Sequence, residues 1–354
     1  MPPPLIIRFG ALGDMVLTTP ALRALAARHG QPCDIACIGG WARALFQGLP
    51  YVGAVHTIAS RGAPYLISPD QWRLVAALRT YRGGSAYLMD GDRKSDWFAT
   101  HAGLTLSGSM RTMQQRMNHH QIEGQARVCG FADAGGAYTD GFIPVPELMV
   151  SAGEQAECQA WLARRIPSGS TVVLMHPGNK KTMSWRKRSG NLKEWPHGHW
   201  VAVAQAVLSA LPQARVLLTG TASEARMTIP IAAACADERV LSVAGETPLR
   251  RLFALLRSAH SLISVDTGPA HAAAALGCPL VVLFGQTDPR ANRPVSAHAP
   301  VQVVTDPPGA PVLDGEGGWR AHHQMSAILP QAVIAAWRSL GAADGAQLSA
   351  SSAR

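Results

Sequence analysis

Short apolar runs rich in β-branched residues alternate along the chain with segments whose apolar positions recur every three to four residues. That alternation builds parallel sheets from βαβ units. In the first half it predicts strands at 5–9, 34–38, 54–58 and 86–89, with helices at 20–29, 41–49 and 69–81 between them. In the second half it predicts strands at 171–175, 215–219, 240–243, 261–265 and 280–284, separated by helices at 198–211, 223–236, 248–258 and 269–276. One architecture used twice predicts two doubly wound domains, residues 1–165 and 166–330. Their junction is expected between Gly141 and Ser170, where Pro144, Pro146, Pro167 and Gly169 flank a helical segment at 151–165. A helix at 331–340 and a small, polar, disordered tail at 341–354 complete the expectation.

Composition fits this outline: 354 residues suffice for two cores, and 47% hydrophobic against 16% charged residues excludes wholesale disorder. No run reaches the ~18 apolar residues of a membrane span, since the best, 272–284, is cut by Gly277 and Pro279. Residues 1–8 run straight into the first strand, which predicts no export signal. Six cysteines without a Cys-x-x-Cys pair predict buried thiols in a reduced, cytoplasmic protein. A net charge of +9 favours an anionic partner, whether a ligand, a membrane surface or a nucleic acid.

Four motifs sit where strands end. Arg8-Phe9-Gly10-Ala11-Leu12-Gly13-Asp14 follows the first strand, and its Gly-x-x-Gly lacks the third glycine of a dinucleotide fingerprint, which disfavours an NAD enzyme. Asp14 could cap a helix, but Thr19-Pro20 offers a competing start with Thr19 as cap. Asp14 is then expected to be a loop carboxylate at a sheet edge where ligands bind. Ser264-Val265-Asp266-Thr267-Gly268-Pro269-Ala270-His271 predicts a strand, a cap at Asp266 or Thr267, and a helix whose free N–H groups and dipole attract phosphate. His271 reads equally as a structural histidine or a ligand contact.

His176-Pro177-Gly178-Asn179-Lys180-Lys181 leads to Lys193-Glu194-Trp195-Pro196, with six Lys or Arg and no acid from Lys180 to Lys193. Such a run suits a diphosphate, a solvated loop or a nucleic-acid groove. Only 6% aromatic residues and no recognition helix disfavour the last. Thr219-Gly220-Thr221-Ala222-Ser223-Glu224 offers either a ribose-binding carboxylate or a first-turn acid. Asp90-Gly91-Asp92 has the form of a metal pair, yet Arg93-Lys94 beside it would oppose a cation, so no metal is expected.

Gly-x-x-Gly-Asp after the first strand, His176-Pro177-Gly178, Lys193-x-Trp195-Pro196, Gly220 with Glu224, Gly245-Glu-Thr-x-Leu249, Asp266-Thr267-Gly268-x-x-His271 and Leu283-Phe284-Gly285-x-Thr287-Asp288-Pro289 occur in that order. Together they resemble the ADP-heptose:lipopolysaccharide heptosyltransferase family, glycosyltransferase family 9, over roughly Leu5 to Leu340. The resemblance implies an α/β, GT-B fold: two Rossmann-like doubly wound parallel-sheet domains facing across a cleft, the N-terminal one binding acceptor and the C-terminal one the nucleotide sugar. It also implies inversion at the anomeric carbon, no metal and no cofactor. ADP-heptose would be the donor, a lipopolysaccharide-core glycolipid or oligosaccharide the acceptor, and no nucleic acid a partner. The place of work would be the cytoplasm, peripherally at the inner face of the cytoplasmic membrane.

Carried over by residue, the family's catalytic base falls on Asp14, with Gly10 and Gly13 in the loop near the acceptor. Its phosphate-binding lysine falls on Lys193, its ribose-binding glutamate on Glu224, and its sugar-binding aspartate and phosphate-binding backbone on Asp266, Thr267 and Gly268. Asn179 and His271 join them on the donor. The loop from Lys180 to Asn191 is longer and more basic than in the best-known lipopolysaccharide enzymes, which leaves the phosphate contact within it open. Rival readings are a family member with another donor sugar or acceptor, a nucleotide-sugar binder without turnover, and a nucleic-acid binder.

Overall fold

The computed structural model describes residues 1–62, 64–111, 120–133, 135–179, 193–285, 287–306 and 324–351, the last with side chains to residue 341. The basic loop from Lys180 to Asn191 lies outside these residues. The chain divides into two compact units, Met1–Met149 and Val150–Arg354. The Ala152–Ala163 helix, which the sequence pattern assigned to the N-terminal domain, thus belongs to the second unit. It buries Cys158, Trp161 and Leu162, and its Glu154 and Glu157 pair with Arg250 and Arg251 of the Leu249–Ser258 helix.

The first unit holds a parallel sheet of β1 (Leu5–Ile7), β2 (Cys33–Ile38), β3 (Val52–Ile58), β4 (Ala86–Leu88) and β5 (Leu106–Ser109), in the order β3-β2-β1-β4-β5. Strand β1 is apolar throughout and fully buried, as helix cover on both faces of a parallel sheet demands. Leu5 and Ile7 pack with Leu74, Leu78, Leu88 and Phe98. Since β2 and β3 lie on one side of β1 and β4 on the other, the chain reverses its direction of winding between β1 and β4. In open α/β sheets ligands bind at such a switch point, beyond the carboxyl ends of the strands.

The second unit orders β6 (Thr171–His176), β7 (Ala214–Leu218), β8 (Val240–Ser242), β9 (Ser261–Val265), β10 (Leu280–Leu283) and β11 (Val301–Val304) as β11-β10-β9-β6-β7-β8. This is the Rossmann strand order, with its switch point between β6 and β9. Its core gathers Trp195, Trp200 and Trp337 with the apolar faces of β6, β7 and β9. The final helix, Pro330–Ser351, runs past the Leu340 limit set by periodicity. Val333, Trp337 and Leu340 line its buried face.

All six cysteines are free and buried, and burial pushes the Cys37 and Cys278 thiols up to about 12. Among the described residues no helix is long and apolar enough to cross a membrane.

Candidate active site

At the β1/β4 switch point of the first unit, Asp14 sits in the first turn of a short helix, Leu12–Val16, rather than in the expected loop. Its Oδ2 accepts the Ala11 N–H at 2.7 Å, and its Oδ1 faces the Arg8 guanidinium at 3.2 Å. Gly10 makes this possible, because a Cβ there would lie 2.4 Å from the Cβ of Asp14. The next helix is Thr19–His29, with Thr18 and not Thr19 at its N-cap position and no capping side-chain bond. The Thr19 hydroxyl instead donates to the Val16 carbonyl and accepts the Glu147 N–H.

Arg8 is the organiser that the sequence did not single out. Its guanidinium reaches the Met89 carbonyl (2.7 Å), Asp90 (3.0 Å), Asp14 and Gln121 Oε1 (2.8 Å). Asp90 in turn accepts the Phe9 N–H and the Ser95 hydroxyl, tying the ends of β1 and β4 together. Asp92 caps the Arg93–Ala102 helix through the N–H groups of Lys94 and Ser95, and it pairs with Arg61. The Asp90-Gly91-Asp92 carboxylates are therefore engaged by cations, a hydroxyl and backbone. Asp14 keeps 27% of its side chain exposed, enough to meet a ligand at this edge.

The β6/β9 switch point of the second unit brings the other candidates together. Thr267 stands at the N-cap position of the Gly268–Ala275 helix without a capping side-chain hydrogen bond, and the helix's small residues let it lie close on the sheet. Asp266, buried at the tip of β9, holds the Lys193 ammonium through its carboxylate and, at 3.0 Å, its carbonyl. Thr287 donates to the same carboxylate at 3.0 Å, and His271 Nε2 lies 3.8 Å from its other oxygen. The Nδ1 atom of His271 has no hydrogen-bond partner among the described residues. Lys193 is placed by its neighbours: Trp195 is fully buried and donates to the Ile328 carbonyl, and Pro196 immediately precedes the His197–Ala210 helix.

Glu224 closes the far side of this edge. Its carboxylate returns to the Thr221 N–H and hydroxyl in a capping box, so the first-turn role is occupied. The same side chain lies against Gly178, where a Cβ would come within 2.3 Å of Oε1. The His176-Pro177-Gly178 and Gly220-to-Glu224 motifs are thus two halves of one contact. Asn179 is buried beside them in sequence. His176 bonds Thr219 at 2.9 Å, and burial lowers its pKa despite the nearby Glu224 charge.

Burial opposes the Asp266 charge, yet His271 and the Lys193 ammonium outweigh it and hold the carboxyl at about 2. That lies below the ~3.9 of an unfolded aspartate. The carboxylate therefore stabilises the fold above about pH 4, a contribution lost as pH falls towards about 2. Asp266→Asn should flatten the acid loss of stability in this window, measured by urea unfolding at stepped pH. An acid slope equal to that of the native chain would remove this ion pair from the account.

Two Rossmann-like units in one chain, each with polar side chains gathered at its switch point, make up the GT-B architecture. The sequence model of glycosyltransferase family 9 (heptosyltransferase) matches residues 74–311, and the chain belongs to that family of enzymes. It is 27% identical over 353 residues to lipopolysaccharide heptosyltransferase 2 of Escherichia coli strain K12, covering 93% of this chain and 96% of that one. Among solved structures, the E. coli ADP-heptose lps heptosyltransferase II aligns with a TM-score of 0.71 at 24% identity, covering 95% and 97% of the two chains. An E. coli heptosyltransferase solved with ADP aligns with a TM-score of 0.63 at 20% identity, covering 93% and 97%.

Proposed function

We propose that this chain transfers heptose from ADP-heptose to an acceptor of the lipopolysaccharide core, inverting the anomeric centre, with Asp14 as general base and no metal. The observation that carries this reading is the Lys193–Asp266 pair beside the Gly268–Ala275 helix N-terminus. It gathers a cation, a dipole end and a sugar-orienting carboxylate at one switch point. Full-length similarity to a lipopolysaccharide heptosyltransferase 2, and to a relative solved with ADP, supports the choice of donor and acceptor.

Asp14 takes the proton of the acceptor hydroxyl as that oxygen bonds to the anomeric carbon. The bond from that carbon to the diphosphate breaks on the opposite face, and ADP departs with the electron pair. Negative charge grows on the β-phosphate, where Lys193, released from Asp266, and the Thr267-Gly268 backbone supply positive potential. Asp266, freed in the same exchange, orients a sugar hydroxyl, while Glu224 offers Oε1 to the ribose and Asn179 and His271 complete the donor pocket. Gly10, against the Asp14 side chain, and Gly13, buried in the same helical turn, form the loop that presents Asp14 to the acceptor. The enzyme works in the cytoplasm at the inner membrane face, where such an acceptor is presented. Lipopolysaccharide from a strain lacking this chain should lose one heptose and everything attached beyond it, read by mass spectrometry. An unchanged lipopolysaccharide mass would overturn the acceptor assignment.

A further inference from the structure

Large apolar side chains stand exposed on the first unit between Leu66 and Trp72: Leu66 at 82%, Ile67 at 73% and Trp72 at 44%. They are held in place. Trp72 Nε1 donates to the Tyr65 carbonyl at 2.5 Å, Ser68 to the Pro64 carbonyl, and Gln71 to the Ser60 carbonyl, while Asp70 accepts the Ala59 and Gln71 N–H groups. A turn stitched this tightly fixes Leu66 and Ile67 outward, where a monomer in water gains nothing from them.

Cations adjoin this apolar tip. Tyr65 packs edge-on against Trp72 and Trp97, and it shares a concavity with Arg93, Lys94 and Trp97. Arg73 follows Trp72 on the same helix and is exposed, as are Arg93 and Lys94. None of the three pairs with a carboxylate among the described residues; of the acids nearby, Asp92 pairs with Arg61, Asp96 pairs with Arg111, and Asp70 accepts the Ala59 and Gln71 N–H groups. Apolar side chains with an aromatic anchor, rimmed by unpaired cations, match the chemistry of a bilayer interface with anionic headgroups.

We propose that the Tyr65–Ile67 turn and Trp72 form a wedge that docks the chain on an anionic lipid bilayer, with Arg73, Arg93 and Lys94 supplying the attraction. The placement serves the reaction, since Arg61 lies 4.0 Å from Asp90, which shares Arg8 with Asp14. A chain seated by this wedge meets a membrane-borne acceptor hydroxyl at the Asp14 edge. The inference rests on the acceptor being carried by a lipid, but its test uses neither donor nor acceptor.

The full chain is sedimented with phosphatidylglycerol vesicles and, in parallel, with phosphatidylcholine vesicles, none containing lipopolysaccharide. Native protein is expected to partition onto the anionic vesicles. Leu66→Ser with Ile67→Ser should weaken this roughly tenfold or more at any salt concentration. Arg93→Gln with Lys94→Gln should weaken it about fivefold per charge at low salt, with the difference vanishing at high salt. ADP binding, seated in the second unit, and the melting temperature of both variants should match the native chain, which separates a failure of the wedge from a failure of the enzyme. No binding to anionic vesicles, or binding that neither variant changes, would overturn the proposal. So would a dimer in analytical ultracentrifugation that Leu66→Ser with Ile67→Ser dissolves, because the patch would then belong to a second copy of the chain.

Discussion

Asp14→Asn is expected to lower transfer by roughly 10²-fold to 10⁴-fold, the usual share of a positioned general base, with ADP affinity unchanged. The environment of Asp14 sharpens this expectation. Each carboxylate oxygen has its own donor, Ala11 N–H on one and Arg8 on the other. An amide supplies one acceptor where the carboxylate supplies two, so its NH₂ must face one of those donors. The variant should therefore melt lower by the equivalent of about 1 kcal/mol. If Asp14 only closes its helix turn, the melting shift appears alone and the rate stays near that of the native chain. Initial rates beside thermal melts separate the two roles, and a folded Asp14→Asn protein with native turnover would withdraw Asp14 from the chemistry.

Lys193→Ala should weaken ADP binding by about tenfold to a hundredfold, since a charge-assisted contact to phosphate contributes ~1.5–3 kcal/mol. The same change strips buried Asp266 of its ammonium partner and leaves it Thr287 and His271. Removing one member of such a pair is costly, so stability should fall as well. The two effects are separable. A lysine that serves only to neutralise Asp266 predicts a lower melting temperature with native ADP affinity by calorimetry. A lysine that changes partner from Asp266 to phosphate predicts losses in both. Asp266→Asn then serves as the control, because it leaves Lys193 free to bind phosphate.

The central strands are legible because parallel strands covered on both faces must be largely apolar, as in Leu5–Ile7 and Leu280–Leu283. Edge strands escaped this rule. The sequence Leu106–Ser109 reads Leu-Ser-Gly-Ser with only Ser109 buried, and Val301–Val304 is half-exposed, so neither carried a clear signal. The Arg93–Ala102 and Gln121–Val128 helices also lie outside the elements that the pattern predicts. For the first, the cap that announces it, Asp92, lay inside a motif weighed as a metal pair.

Most candidate residues were visible because glycines and caps mark where strands stop. Their partners were not, since tertiary contacts join them: Asp90 stands 82 residues from Arg8, and Thr287 stands 21 from Asp266. The placement of Asp14 in a helical turn had a local signal that was outweighed. Ala11 to Asp14 has the spacing of a cap and its third residue, but Ala11 has no capping side chain, whereas Thr19-Pro20 carries the stronger start signal.

The claim that this chain is a metal-independent ADP-heptose transferase is tested most directly by mixing purified native protein with ADP-heptose and a lipopolysaccharide-core acceptor in EDTA, and following both products by mass spectrometry. The account requires the acceptor to gain one heptose for each ADP released, at a rate that added Mg²⁺ does not raise. Release of ADP without a heavier acceptor, or transfer that appears only when a divalent cation is restored, would contradict it.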